Sequence, residues 1–204
     1  ELEHQLVDCG ARVAVCWDRT ASVIERLRGR TAIEVILAVD LTTALPWRMR
    51  LALRLPVAKA RAARAAMTGQ VLRAALSWDR VASSTGPVDA ASPQPLADDV
   101  ALLQYTGGTT GTPKGAILTH RNLRANAAQG RAWVPGLKDG EETVYAVLPL
   151  FHAYGLTLCL TFSMCLGATL VLLPRFDLEQ MFTAIRRRPP TFLPAVPPIY
   201  ERLA

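Results

Sequence analysis

Residues 106–115 form a run of glycine, threonine, proline and lysine between two apolar segments. The run holds four glycines, four threonines, Pro113 and Lys114, and it contains no acidic residue. One apolar segment ends at Tyr105 and another begins at Ala116, so the sequence predicts a loop between two strands. Glycines let the backbone turn its N–H groups toward one point, threonine hydroxyls add donors, and Lys114 adds a positive charge. Such a loop suits a polyphosphate, and the alternative is an ordinary surface hairpin.

The order of residues in this loop excludes one common phosphate-binding motif. A Walker A loop has Gly-Lys followed by Ser or Thr, whereas Pro113 precedes Lys114 here and Gly115 follows it. An ordinary P-loop NTPase is therefore disfavoured. The stretch resembles the phosphate loop of the adenylate-forming superfamily, which includes acyl-CoA synthetases, luciferases and the adenylation domains of peptide synthetases. Their usual form is Thr-Ser-Gly-Thr-Thr-Gly-x-Pro-Lys-Gly.

Gly107 stands where most members of that superfamily carry serine. The form Tyr-Thr-Gly-Gly-Thr-Thr-Gly is similar to that of the bacterial long-chain fatty-acid CoA ligases. The resemblance implies two steps: a fatty carboxylate attacks the α-phosphate of ATP to give acyl-AMP, and the thiol of coenzyme A then displaces AMP. It implies ATP, Mg²⁺ and coenzyme A. The residues that it assigns to the triphosphate are Thr106, Gly107, Gly108, Thr109, Thr110, Gly111, Thr112 and Lys114.

A second motif covers residues 148–155 and reads Leu-Pro-Leu-Phe-His-Ala-Tyr-Gly. It resembles the aromatic, histidine-bearing turn that lies beside the acyl and adenylate site of the superfamily. The resemblance implies that His152 is a catalytic residue and that His152 and Tyr154 bind substrate. A histidine between apolar residues is otherwise more often a core residue. Residues 120–122 resemble the superfamily's Thr-His-x-Asn continuation, with helix capping as the alternative.

The order of apolar patterns predicts an α/β fold. The first predicted elements are a helix that ends at Gly10 and a strand at 12–17. A helix capped by Thr20 and closed by Gly29 follows, and then a buried strand at 35–39. Further predicted strands are 100–105, 115–118, 143–147, 168–173 and 191–193, and further helices are 120–133, 177–188 and one from Pro197. The resemblance implies part of an adenylate-forming N-terminal domain with two sheet-and-helix subdomains, at residues 1–82 and 98–204, joined by a linker at 83–97.

The net charge of +6 originates in residues 41–78, where seven basic residues occur without an acid. Residues 49–67 have the pattern of an amphipathic helix that Pro56 must kink or divide. This segment is either a solvated helical insertion or a membrane-surface segment over residues 48–73. Bacterial long-chain ligases are similar here, with a basic, apolar insertion. Because the basicity is local and no nucleic-acid motif accompanies it, nucleic acid is not a predicted partner. The seven basic residues of this segment are Arg48, Arg50, Arg54, Lys59, Arg61, Arg64 and Arg73.

The cysteines and histidines match no metal or redox signature, so we predict no metal site on protein side chains and four buried thiols in a reducing cytoplasm. Residues 153–173 carry no charge and are long enough to span a bilayer of ~30 Å. Gly155 and Gly167 nevertheless bracket a short helix, and residues 168–173 suit a buried strand. The prediction is therefore a cytoplasmic protein, in peripheral contact with the inner membrane surface if the basic segment binds lipid.

The chain opens inside a helical pattern, and later motifs of the superfamily have no counterpart before Ala204. We therefore expect a fragment of an adenylation domain that is inactive alone. Two other functions stay open: an adenylation module of a peptide or polyketide assembly line, and a non-enzymatic membrane-associated protein.

Overall fold

The computed structural model describes residues 1–69, 72–107, 111, 113–173 and 176–203. The chain divides into two compact units, residues 1–93 and 94–204, each with its own strands, helices and core. The fold is α/β, as predicted. The division lies within the predicted linker, although a helix of the first unit continues to Ser84. The assignment of the units to two subdomains of an enzyme stays a prediction.

The first unit is built on a parallel sheet with the strand order β1-β2-β3. Residues of β1 and β2 pair in register from Val13 with Val35 to Trp17 with Val39, which confirms the predicted βαβ unit. The core packs Ala21 and Ile24 of the crossover helix against the sheet. The elements are α1 Leu2–Cys9, β1 Val13–Trp17, α2 Asp18–Leu27, a 3₁₀ turn Arg28–Arg30, β2 Val35–Val39, α3 Trp47–Ala52, α4 Ala58–Met67, β3 Leu76–Ser77 and α5 Trp78–Ser84.

Two local predictions for the first unit have opposite outcomes. Pro56 lies between α3 and α4, so the predicted division of the basic helix is confirmed. The predicted cap at Thr20 is wrong, because α2 begins directly after β1, with Trp17 at the N-cap position. The Thr20 hydroxyl lies inside the first turn and donates to the Trp17 carbonyl at 2.8 Å.

The second unit contains an antiparallel hairpin and a separate parallel pair of strands. In the parallel pair, Thr143 of β6 faces Thr169 of β7, and an isolated bridge joins Val144 to Phe192. The predicted strand at 191–193 is therefore a single bridge. The elements are β4 Val100–Thr106, β5 Lys114–Thr119, α6 His120–Trp133, β6 Thr143–Ala146, α7 Ala153–Gly155, a π-helical segment Leu156–Thr161, α8 Phe162–Leu166, β7 Thr169–Leu172, α9 Leu178–Arg187 and α10 Pro197–Leu203.

The core of the second unit forms where α9 and α10 cover β6. Tyr145, Met181 and Ile199 are buried there together. The Tyr145 hydroxyl donates to the Arg188 carbonyl at 2.7 Å, so the one polar atom of this ring is satisfied inside the core. Burial raises the pKa of Tyr145 above its ordinary value.

The uncharged stretch at 153–173 forms a helical run and then a strand, as predicted. The helical run ends at Gly167, which has a left-handed φ of 62°, and β7 follows after Ala168. In the part of the chain that the structure describes, no helix is both long and apolar enough to cross a bilayer.

The prediction of four buried thiols holds for one cysteine only. Cys159 is buried, and burial raises the pKa of its thiol. Cys9 and Cys16 are half-buried, and Cys165 is exposed. Cys165 lies, with Met164, on the side of α8 that lines an open cleft beside α6.

Glu142 joins three segments of the second unit. Its carboxylate accepts the Lys138 N–H at 2.6 Å, and it lies near the Thr191 hydroxyl, which donates to the Thr143 carbonyl at 3.3 Å. Thr191 first, and then the Lys138 N–H, lower the pKa of Glu142 below its ordinary value of 4.5. A carboxyl whose pKa is lower in the folded state stabilises the fold above the unfolded-state pKa, and this contribution is lost as the pH falls through the folded-state pKa.

We expect Glu142→Gln to lower the free energy of unfolding at pH 7. The difference from the wild type should shrink as the pH falls below 4.5. Urea denaturation at pH 7, 5, 4 and 3.5 measures it. The matched control is Glu141→Gln, which removes the neighbouring exposed carboxylate that pairs with Lys138 at 3.6 Å and should change stability little. A Glu142→Gln difference that stays constant over this pH range would contradict the role of its charge.

Candidate functional site

The glycine-threonine loop lies at the end of the β4–β5 hairpin. The two strands pair antiparallel, and the last pair of the ladder is Thr106 with Lys114. Both residues are exposed, as are Gly107 and Gly111. A Cβ added at Gly107 or Gly111 would meet no atom within 4 Å, and Gly111 has a φ of 129°, where other residues are strained. The predicted site residues Gly108, Thr109, Thr110 and Thr112 lie outside the described residues.

The base of the loop is held by an aromatic ring that lies across the hairpin. Tyr105 pairs with Gly115, and a Cβ on Gly115 would lie 3.1 Å from Cζ of the tyrosine ring. The glycine therefore leaves room for the ring beside the strand that begins with Lys114. A cross-strand pair of an aromatic residue with glycine stabilises a hairpin at a point where glycine alone would weaken it.

The other end of the hairpin is held by α6. The Thr119 hydroxyl accepts the Asn122 N–H at 3.2 Å, and the Asn122 side chain accepts the Thr119 N–H at 2.9 Å. This capping box confirms the predicted N-cap at Thr119. Arg121 forms two hydrogen bonds with the Asp98 carboxylate, at 2.7 and 2.9 Å, and they lower the pKa of Asp98. Residues 119–122 thus cap α6 and hold the hairpin in place. This agrees with helix capping, the alternative given for residues 120–122 in the sequence.

The second motif is attached to the strand that leads into the loop. Gln104 lies two residues before Thr106, and its side-chain amide donates to the Phe151 carbonyl at 2.7 Å. The neighbouring residue His152 is exposed, so it is not a core histidine. Its ring contacts that of Phe151, with centroids 4.4 Å apart. The Tyr154 ring is 45% exposed, and its hydroxyl donates to the Ala195 carbonyl at 3.4 Å.

Gly155 fixes the turn that carries His152. It is buried, and a Cβ there would lie 2.2 Å from the Pro149 carbonyl oxygen. The first turn of the helical run therefore packs directly on the backbone of residues 148–149. The sequence indicated Gly155 as the last residue of the second motif and as a helix boundary, and it did not indicate Gln104. The sequence does place a glycine three residues after the histidine, and this spacing was the available signal that Gly155 packs closely beside the His152 turn.

A separate apolar cleft of about 900 Å³ lies beside α6 and the helical run at 156–165. It includes Ala101 and Leu102, at the end of β4 that is far from the loop, and it includes His120. Neither His152 nor Tyr154 lines it. Over the described ranges, no three His, Cys, Asp or Glu side chains lie close enough together to hold a metal ion.

A family model described as AMP-binding enzyme matches residues 1–204. The chain belongs to the AMP-binding enzyme family. This confirms the resemblance to the adenylate-forming superfamily that the loop indicated, and it fits the α/β fold of both units.

Curated relatives and a solved structure agree with this family. The chain is 47% identical over 102 residues to a long-chain-fatty-acid–CoA ligase of Bacillus subtilis, covering 50% of this chain and 18% of that protein. It is 32% identical over 205 residues to the enzyme of the same name from Yersinia pestis, covering 100% of this chain and 36% of that protein. A crystal structure of a long-chain-fatty-acid-CoA ligase from Archaeoglobus fulgidus matches with a TM-score of 0.69 at 29% identity, covering 99% of this chain and 33% of that one. The chain thus spans about a third or less of these AMP-binding enzymes.

We expect Gly155→Ala to destabilise the second unit by about 1–3 kcal/mol, because the new methyl group must displace the backbone of Pro149. Hydrogen exchange should also accelerate at the Leu156 amide, which donates to the His152 carbonyl at 2.8 Å. Gly29→Ala is the control, since a Cβ there meets nothing within 4 Å. Equal unfolding curves for wild type and both variants would show that the contact between Gly155 and Pro149 is not tight in solution.

Proposed function

We propose that this chain is the phosphate-binding part of an ATP-dependent long-chain fatty-acid CoA ligase. The enzyme would form acyl-AMP from a fatty acid and ATP and then transfer the acyl group to coenzyme A. The observation that carries this proposal is the exposed end of the hairpin. There Thr106 and Lys114 lie side by side at the last pair of the ladder, next to glycines that leave open space.

The chemistry of this reaction requires charge neutralisation more than a base. A fatty carboxylate is already a nucleophile, so the protein must orient it in line with the α-phosphate and screen the triphosphate. Mg²⁺, bound to the phosphates, would add further positive charge at the leaving pyrophosphate. The loop contributes a lysine ammonium group and hydroxyl and backbone donors, and residues 100–138 contain no acid that would compete for them.

The proposed roles follow from this placement. Lys114 and Thr106 would contact the triphosphate together with the backbone or side-chain donors of residues 107–112. His152 would donate to an oxygen of the carboxylate or phosphate, and Tyr154 would lie beside the acyl or adenylate group. The bond from Gln104 to the Phe151 carbonyl supports a shared site, because it attaches the His152 turn to the strand that leads into the loop. The exposure of His152 supports a role toward a ligand.

The substrate class rests on two observations. Gly107 occupies the position that is serine in most of the superfamily, and the curated relatives in Bacillus subtilis and Yersinia pestis are named long-chain-fatty-acid–CoA ligases. These names support a fatty acid and coenzyme A as substrates over the amino-acid substrates of an assembly-line module. The family match supports an enzyme over a non-enzymatic membrane protein.

We also propose that the protein is cytoplasmic and contacts an anionic membrane surface through residues 48–73. Apolar side chains on and after α3 are exposed beside the basic residues: Trp47 is 69% exposed, Leu51 58% and Leu55 51%. Arg48, Arg50 and Arg54 alternate with them in sequence. A segment with exposed apolar side chains, seven cations and no acid is typical of a helix that lies in the membrane interface.

We expect Lys114→Ala to weaken MgATP binding by tenfold or more, because a lost charge-assisted contact costs on the order of 1.5–3 kcal/mol. Calorimetry on this chain measures the binding. Fatty-acid-dependent exchange of labelled pyrophosphate into ATP, by the product of the whole open reading frame that encodes the chain, measures the reaction. The control is Lys138→Ala, which removes an exposed lysine paired with Glu141. Unchanged affinity and exchange in a folded Lys114→Ala protein would refute the phosphate-loop assignment.

We expect the chain to sediment with vesicles that contain anionic lipid and to be released as salt rises. Each basic residue near such a surface contributes about 1 kcal/mol, and the attraction is screened over ~10 Å at 0.1 M salt. Neutral phosphatidylcholine vesicles are the control. Equal and negligible sedimentation with both vesicle types at low salt would leave residues 48–73 as a solvated insertion.

A further inference from the structure

A small polar cavity of about 110 Å³ lies in the first unit, beyond the carboxyl end of β2. Ligands of open α/β folds bind at this edge of a parallel sheet. The residues after β2 supply one side of the cavity, and α3, α4 and the turn between them supply the other. Its lining consists of Asp40, Thr42, Thr43, Arg50, Leu53, Arg54 and Arg64.

The cavity carries an excess of positive charge. Three arginines line it, whereas Asp40 is its single acidic residue. One oxygen of Asp40 already accepts the Thr42 N–H at 2.8 Å and the Thr42 hydroxyl at 2.7 Å. Within the described ranges, Arg50, Arg54 and Arg64 have no carboxylate within 4.0 Å, although arginines elsewhere form ion pairs. Sequence supports this imbalance, since residues 41–78 contain no acid.

Three arginines around one cavity favour an anion. Like charges at short distance repel one another, and a bound anion removes that cost. Guanidinium groups bind phosphate with paired, charge-assisted hydrogen bonds, which makes arginine the preferred residue for this ligand. The cavity volume is several times the ~30 Å³ that one molecule occupies in liquid water. It therefore has room for a group the size of phosphate.

We propose that this arginine pocket binds the phosphate headgroup of an anionic lipid, and in particular a phosphomonoester. The proposal rests on the membrane contact proposed above for residues 48–73. The exposed side chains of Trp47, Leu51 and Leu55 belong to the same segment as Arg50 and Arg54. Tryptophan is enriched at the membrane interface, where apolar side chains enter the lipid and cations meet the headgroups. A phosphomonoester carries up to two negative charges and several acceptor oxygens, which matches three guanidinium groups better than a carboxylate headgroup does.

The test separates the pocket from general charge attraction with two variants of one helix. Arg64 and Arg61 are both exposed residues of the α4 helix, and only Arg64 lines the pocket. Arg64→Gln and Arg61→Gln therefore remove the same charge from the same segment. Binding of the chain is measured to phosphatidylcholine vesicles that contain either phosphatidic acid or phosphatidylserine, at matched surface potential. Far-UV circular dichroism checks the fold of both variants, and Arg54→Gln repeats the test at a second arginine of the pocket, in the turn between α3 and α4.

We expect the wild type to prefer phosphatidic acid. Arg64→Gln and Arg54→Gln should each weaken binding to phosphatidic acid by roughly tenfold, as expected for a charge-assisted contact. They should weaken binding to phosphatidylserine only slightly. Arg61→Gln should weaken binding to both vesicle types slightly and equally.

Three results would overturn the proposal, and each has a different meaning. Equal losses for Arg64→Gln and Arg61→Gln on both lipids would refute the pocket and leave the general membrane contact standing. Absence of binding to every vesicle would refute the membrane contact itself. Tight binding of inorganic phosphate by the wild type, lost in Arg64→Gln without any lipid preference, would show a soluble phosphate ligand instead of a lipid. None of these outcomes depends on Lys114 or on ATP.

Discussion

The antiparallel pairing of β4 with β5 is the constraint on which the candidate site depends. It fixes Thr106 opposite Lys114, the two residues at either end of the glycine-threonine segment. Both ends of the hairpin are then held by other contacts. The Tyr105 ring supports the loop end, and the Arg121–Asp98 pair and the cap on α6 hold the far end. A loop on a rigid support can present donors to a ligand with little loss of entropy on binding.

The features that could be predicted from the sequence are those that depend on residues close to one another along the chain. The hairpin, the capping box at Thr119 and the separation of two helices at Pro56 each follow from residues within a few positions of one another. The helical run and strand at 153–172 follow in the same way from glycines and β-branched residues. Thr20 shows the limit of such reasoning, because the residues around it suit a cap but β1 continues into α2 without a break. Strand β3 was not predicted, because its two residues are too few to show the alternation of apolar and polar residues that identifies a strand.

Long-range contacts account for the parts of the site that sequence did not predict. Gln104 and Phe151 are 47 residues apart, and nothing in either neighbourhood indicates that an amide meets a carbonyl. The arginine pocket combines residues after β2 with arginines from both sides of Pro56. The four arginines Arg50, Arg54, Arg61 and Arg64 belong to the segment that the sequence predicted as an amphipathic helix kinked or divided at Pro56. Division of the helix leaves Arg61 out of the pocket and brings the other three together with Thr42 and Thr43.

The distribution of ion pairs separates structural cations from cations that are available to ligands. Arg12 and Arg121 each form two short hydrogen bonds with a carboxylate and lower the pKa values of Glu34 and Asp98. Such exposed pairs add little to stability, but they occupy the guanidinium group and reduce its attraction for another anion. Arg50, Arg54 and Arg64 line a cavity without a carboxylate at ion-pair distance within the described ranges. An anion that enters this cavity breaks no ion pair with a carboxylate of the chain, so its attraction to the three arginines is offset by the loss of hydration and by Asp40 but not by a competing partner.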